Sequence, residues 1–188
     1  RIMPYPIEKI KSYADVDKAL DTGLPNGTYL MRGQGGEVLD PDTAPRLQLK
    51  FGVQLPKEQE GQTQSEFLRW FVPEVSETNE KSYKKRLQIT RGISKRFLDD
   101  LAETALPGSP TSDSSTGQAL KDAVKRMHDA GDNLPAIIES MELIAETLDG
   151  QEFFVKATKD GRFSRIAPID YSKGARALGF GGKTAQKV

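Results

Sequence analysis

Eight residues, Arg46 to Val53 (RLQLKFGV), constrain this chain more than any other stretch. Leu47, Leu49, Phe51 and Val53 alternate with Arg46, Gln48 and Lys50, a period of two that no helix gathers on one face. The spacing predicts a β-strand with one side in a core and the other in water. Such a strand needs neighbours, and two candidates flank it. Upstream, LPNGTYLMRG turns at Asn26-Gly27 and predicts a strand from about Thr28, with the Gly/Pro-rich GQGGEVLDPDTAP as the connecting loop. Downstream, the polar PKEQEGQTQS leads into EFLRWFV, which alternates again but is apolar on both sides. Leu68, Trp70 and Val72 compete with Phe67, Arg69 and Phe71 for the core, and the sequence leaves that choice open.

After Pro73 the period changes. Tyr83, Leu87, Ile93, Phe97, Leu98 and Leu101 recur near helical spacing, with a weak point at Gly92 and a cationic front half (Lys81, Lys84, Lys85, Arg86, Arg91, Lys95, Arg96). PGSPTSDSSTG reads as a mobile linker, with a Ser-rich loop over 108–117. QALKDAVKRMHDAG and the acidic LPAIIESMELIAETLDG predict further helices. Near the start, Ser12 to Leu20 (SYADVDKAL) predicts a short helix capped by Ser12.

The last strong signal is a hairpin, FFVKATKDGRFSRIA, with its tip placed at Asp160-Gly161 because both residues tolerate positive φ. That tip pairs Lys159 with Arg162, Thr158 with Phe163, Lys156 with Arg165 and Val155 with Ile166. One face then carries Phe153, Val155, Ala157 and Ile166, an ordinary core face. The other interleaves Phe154, Lys156, Phe163 and Arg165, rings alternating with cations.

The order is therefore helix, three strands, a long helical insertion, and two strands. That is the order of an OB-fold, a five-stranded partly open barrel that binds oligonucleotides and keeps its helix between strands 3 and 4. The expected fold class is thus mainly β with a helical insertion (α+β). An N-terminal helical extension over 1–23 would precede an OB-fold-like barrel over 24–172, with the insertion at 77–148 and a basic, Gly-rich flexible tail at 173–188.

Composition narrows the function. The chain has no cysteine and one histidine, His128, in a polar helical stretch. Thiolate catalysis, disulfides, cysteine zinc sites and multi-histidine metal sites are thereby excluded. The carboxylate pairs Asp40/Asp42, Asp99/Asp100 and Glu139/Glu142 do not converge in the sequence pattern, so no catalytic residue, metal or cofactor is expected. GFGGKT near the end imitates a phosphate-binding loop, but Ala177 stands where its first glycine belongs and too few residues follow for a helix. No apolar run reaches the roughly 20 residues of a membrane helix. The chain opens on Arg1 without a signal-like apolar stretch, as a trimmed chain would. Net charge is zero, yet residues 151–188 hold eight Lys/Arg against three Asp/Glu. A neutral total hides a basic C-terminal region, the charge pattern of a polyanion binder.

LPNGTYLMR, RLQLKFGVQLPKEQEGQTQSEFLRWFV and LDGQEFFVKATKDGRFSRIAPI together resemble phage-encoded single-stranded DNA-binding proteins with an OB-fold core. The resemblance covers 24–106 and 147–169. It implies non-sequence-specific ssDNA binding in phage DNA replication or recombination, in the cytoplasm of a bacterial host. Replication or recombination proteins would be partners, and a homo-oligomer is compatible with it. Such proteins often end in an acidic tail, whereas this chain ends in a basic one. The expected binding face comprises Arg46, Lys50, Phe67, Arg69 and Phe71 from strands 2 and 3. The hairpin would add Phe154, Lys156, Lys159, Arg162, Phe163 and Arg165. Rings would stack on bases and cations would follow phosphates. The alternative is a phage virion or assembly protein that uses a small β-barrel for protein–protein contacts.

Overall fold

A computed structural model describes residues 23–72, 79–106 and 115–179. The expected helix at Ser12–Leu20, the linker residues 107–114 and the phosphate-loop imitation after Gly179 lie outside these residues. Five strands form one antiparallel sheet: β1 (Gly27–Leu39), β2 (Arg46–Leu55), β3 (Thr63–Arg69), β4 (Glu152–Asp160) and β5 (Phe163–Pro168), in the order β3-β2-β1-β4-β5. Between β3 and β4 come α1 (Glu80–Asp100), a π-helical turn (Leu101–Ala105), α2 (Ser115–Asp129) and α3 (Leu134–Leu148). A short helix, α4 (Tyr171–Ala177), follows β5.

The alternation in β2 decides the inner face: Leu47, Leu49, Phe51 and Val53 are all buried. Its register with β3 sets Leu47 opposite Leu68, so Leu68 and then Trp70 turn inward, which resolves the ambiguity of EFLRWFV. Met31 and Phe153 sit opposite each other on the same face, and the Phe51 and Phe153 rings meet edge to face with centroids 5.0 Å apart. The helices cover this face. α3 lies across β1 and β2, α1 meets β3, and the π-turn reaches β4 and β5. Leu98, Met127, Met141 and Ile144 close around Leu47, Leu68 and Trp70.

The sheet is not closed into a barrel, which corrects the OB-fold-like expectation. β3 and β5 are the two edges of the sheet and share no backbone ladder. The sheet curls enough for Gln64 Nε2 on β3 to donate to the Ser164 carbonyl on β5 at 3.0 Å, but this is a side-chain bond where a barrel would have a backbone ladder. The helical insertion supplies the physical reason. Leu101 and Leu106 are fully buried, and the inner face is filled by helices rather than by the opposite wall of a barrel.

Further corrections are local. Residues 33–39, expected as the start of a loop, continue β1, and residues 115–117, expected as linker, open α2. The two-residue hairpin tip is Gly161-Arg162, because Asp160 pairs with Phe163. Gly161 alone carries the positive φ, 63°, so the turn moved to the residue that tolerates it at least cost. The expected tail boundary at 173 falls inside α4, which Asp170 caps by accepting from the Lys173 amide at 3.1 Å. α1 runs unbroken through Gly92, and Asn79 caps it by accepting from the Ser82 amide at 2.9 Å.

Candidate nucleic-acid interface

Arg46, Gln48 and Lys50 of β2 and Ser65, Phe67 and Arg69 of β3 alternate with the inward residues and face outward. Arg46 and Arg69 are direct cross-strand partners, Gln48 stands opposite Phe67, and Lys50 opposite Ser65. The Arg46 guanidinium lies 5.3 Å from the centroid of the Phe67 ring and 3.3 Å from the Asp40 carboxylate. Phe67 is 44% exposed in spite of this cover. Arg69 and Lys50 have no ion-pair partner among the described residues. Like charges set directly opposite each other on a sheet destabilise it, so the Arg46–Arg69 pair is a feature that an anion would relieve.

Phe71, expected on the same face, is drawn aside beyond the end of β3. It packs half-buried against the core, and the Arg91 guanidinium of α1 sits 5.4 Å from its centroid. Arg91 also covers Trp70 at 5.0 Å. Trp70 is 1% exposed, so its ring offers no free face to solvent.

The hairpin divides in a similar way. Lys156, Phe163 and Arg165 are exposed, and Phe163 is 72% so. Arg165 pairs with Asp160 at 3.1 Å, which tempers its charge. Lys159 and Arg162 are exposed near the tip, and the Lys159 amide donates to Asn26 Oδ1 at 2.6 Å. Phe154 does not belong to an exposed face. It is 2% exposed, its ring meets Tyr171 of α4 edge to face at 5.0 Å, and Gly174 lies against it so closely that a Cβ there would strike the ring. α4 thus removes Phe154 from the expected stacking surface. The signal was in the sequence: Asp170 before YSKGARAL is an N-cap ahead of a short helix, within a stretch that also reads as a tail.

The two outward groups approach each other across the seam. Gln64 ties β3 to Ser164, the neighbour of Phe163, and Phe67 lies three residues further along β3, about 10 Å at the rise of a strand. One exposed ring therefore flanks each lip, with Arg46, Arg69 and Lys50 behind the first and Lys156 and Arg165 behind the second. On the inner side of β3, opposite Leu49, sits Glu66. Burial pushes its carboxyl up to about 7, a feature that alternation alone would not reveal.

Other chemistry is sparse. His128 is exposed and 3.6 Å from Asp129, Asp99 is engaged by Lys95, and no cluster of three or more potential metal ligands occurs among the described residues. No helix among them is long and apolar enough to cross a membrane. Neither a family model, nor a curated protein, nor a solved structure matches this chain.

Proposed function

We propose that the protein binds single-stranded nucleic acid, ssDNA in the first instance, along the lips of the β3–β5 seam. The observation that carries this reading is the outward pair of cross-strand arginines, Arg46 and Arg69, beside the exposed ring of Phe67. Phe67 and Phe163 would each stack on a base, worth about 1–3 kcal/mol per base. Arg46, Arg69, Lys50 and Lys156 would follow the phosphates. Rings and cations accept any base and any phosphate, so the binding is non-sequence-specific and involves no chemical step. The setting of phage DNA replication or recombination in a bacterial host is part of the same proposal and rests on the resemblance alone.

Fluorescence anisotropy with an end-labelled oligo-dT tests it; buried Trp70 is a poor reporter. Single strands should be preferred over a duplex of equal length. With about four phosphate contacts, log affinity should fall against log salt with a slope near −3. Equal affinity for single and double strands, or no salt dependence, would rule the reading out.

A further inference from the structure

The outward side of α1 carries a pattern that the sheet does not use. Ile89 and Ile93 are 54% and 68% exposed, one helical turn apart and so adjacent on the surface. Lys85, Arg86 and Arg96 border them, and none has an ion-pair partner among the described residues. Lys84 and Lys95, by contrast, are tied to Glu80 and Asp99. The buried side of the helix is Ser94 and Leu98, pointing the other way. Cations alone would suit a phosphate backbone. Two isoleucines among them do not, since they offer neither a ring to stack nor a donor.

A second surface is the complement of this one. α3 turns Glu139, Glu142 and Glu146 outward and Asp149 follows at its C-cap, all exposed and without an ion-pair partner among the described residues. Between this row and the irregular middle of β1 lies a cleft of about 240 Å³. Gly36, Val38, Leu47 and Ala145 form its apolar lining, with Glu142, Glu146 and Asp149 around it. An apolar floor rimmed by acids matches an aliphatic pair bordered by bases, the arrangement by which a helix docks in a groove.

From this complementarity we infer that the cleft receives the α1 stripe of a second copy of this chain. Ile89 and Ile93 enter the apolar floor, and Lys85, Arg86 and Arg96 meet the acids at the rim. The formal net charge of zero leaves no overall repulsion between copies. The two surfaces are unlike, so the contact is heterologous, one copy giving its stripe and the other its cleft. It uses neither lip of the seam, and so it stands independently of the nucleic-acid reading.

Sedimentation velocity of the full chain over a concentration series up to about 100 µM, the range of a weak contact, tests the inference. Assembly should rise with concentration at low salt and shrink at high salt, because rim ion pairs are screened. The double variants Ile89→Ser/Ile93→Ser and Glu142→Lys/Glu146→Lys should each sediment as monomers with unchanged thermal unfolding. Mixed together, they should form a 1:1 complex, because each retains the half that the other lacks. That rescue separates a lost contact from a lost fold. A wild-type chain that stays monomeric throughout, or a mixture that does not associate, overturns the inference. So does a monomeric wild type whose isoleucine variant loses oligo-dT affinity, which would give the stripe to the nucleic acid.

Discussion

Arg91 grips the strand end through Trp70 in two ways: its Nε donates to the Trp70 carbonyl at 2.9 Å, and its guanidinium lies 5.0 Å from the centre of the indole. Phe71 sits 5.4 Å away, and Asp132 supplies a longer ion pair at 3.9 Å. Burial lowers the pKa of this guanidinium, while Asp132 and Tyr83 oppose that effect. Arg91→Ala removes a hydrogen bond and two ring contacts together and should cost about 2–3 kcal/mol of stability. Arg91→Lys should recover little of it, because an ammonium cannot stack and donate in one plane. Urea midpoints measure both variants, and an unchanged midpoint for the alanine would contradict this account.

Glu66 should make stability depend on pH. Its carboxyl titrates near 7 when folded, against an ordinary value of 4.5. Between those values the folded chain holds a proton that the unfolded chain releases. Stability therefore falls as pH rises from about 4.5 to about 7 and levels off above. Glu66→Gln should flatten that slope and gain on the order of 1–2 kcal/mol at pH 8, allowing for screening by water. Near pH 4 it should match the wild type, and thermal melts across this range decide the matter.

Gly174 is where α4 meets Phe154 with no room for a Cβ. Gly174→Val should push the helix off the sheet at about 1–3 kcal/mol, the usual cost of overpacking. A melting temperature equal to wild type would show that α4 does not hold Phe154 in the way described.

The binding variants should sort by type. Phe67→Ala and Phe163→Ala should each cost about 1–3 kcal/mol of oligo-dT affinity while leaving the salt slope unchanged. Arg69→Ala and Lys156→Ala should each lower the slope by roughly 0.7. Phe154→Ala should lower stability by about 3–5 kcal/mol, the cost of emptying a core ring site. Its effect on oligo-dT affinity should be slight at a temperature where the variant remains folded. A large affinity loss there would place the strand over α4 instead.

Much of the sheet was legible in the sequence because alternation is a local property. Leu47 to Val53 announced their own face, and the two faces of the β4–β5 hairpin survived a misplaced tip. Moving the tip from Asp160-Gly161 to Gly161-Arg162 changes every partner but keeps residues of the same parity together, so Lys156, Phe163 and Arg165 still share a side. Which side of EFLRWFV is buried depended on its register with β2, which no periodicity within that segment contains. The exposed isoleucines of α1 could not be read at all, since Ile93 fits the helical spacing of a core residue and only the packing of Ser94 and Leu98 turned it outward.

The sequence by itself determined the order of the five strands and of the helices between them, because hydrophobic period, caps and turns act over a few residues; it left the second half of β1 to a loop and α4 to a tail. Tertiary structure alone decided that the sheet stays open, that Phe154 is buried and Phe163 is surface, and that the Glu66 carboxyl is pushed up to about 7. Each of these depends on what a distant segment brings to the same place: the insertion filling the inner face, α4 covering one ring, and burial around one carboxylate. Local pattern says which side chains can share a face, and only packing says which faces remain in water.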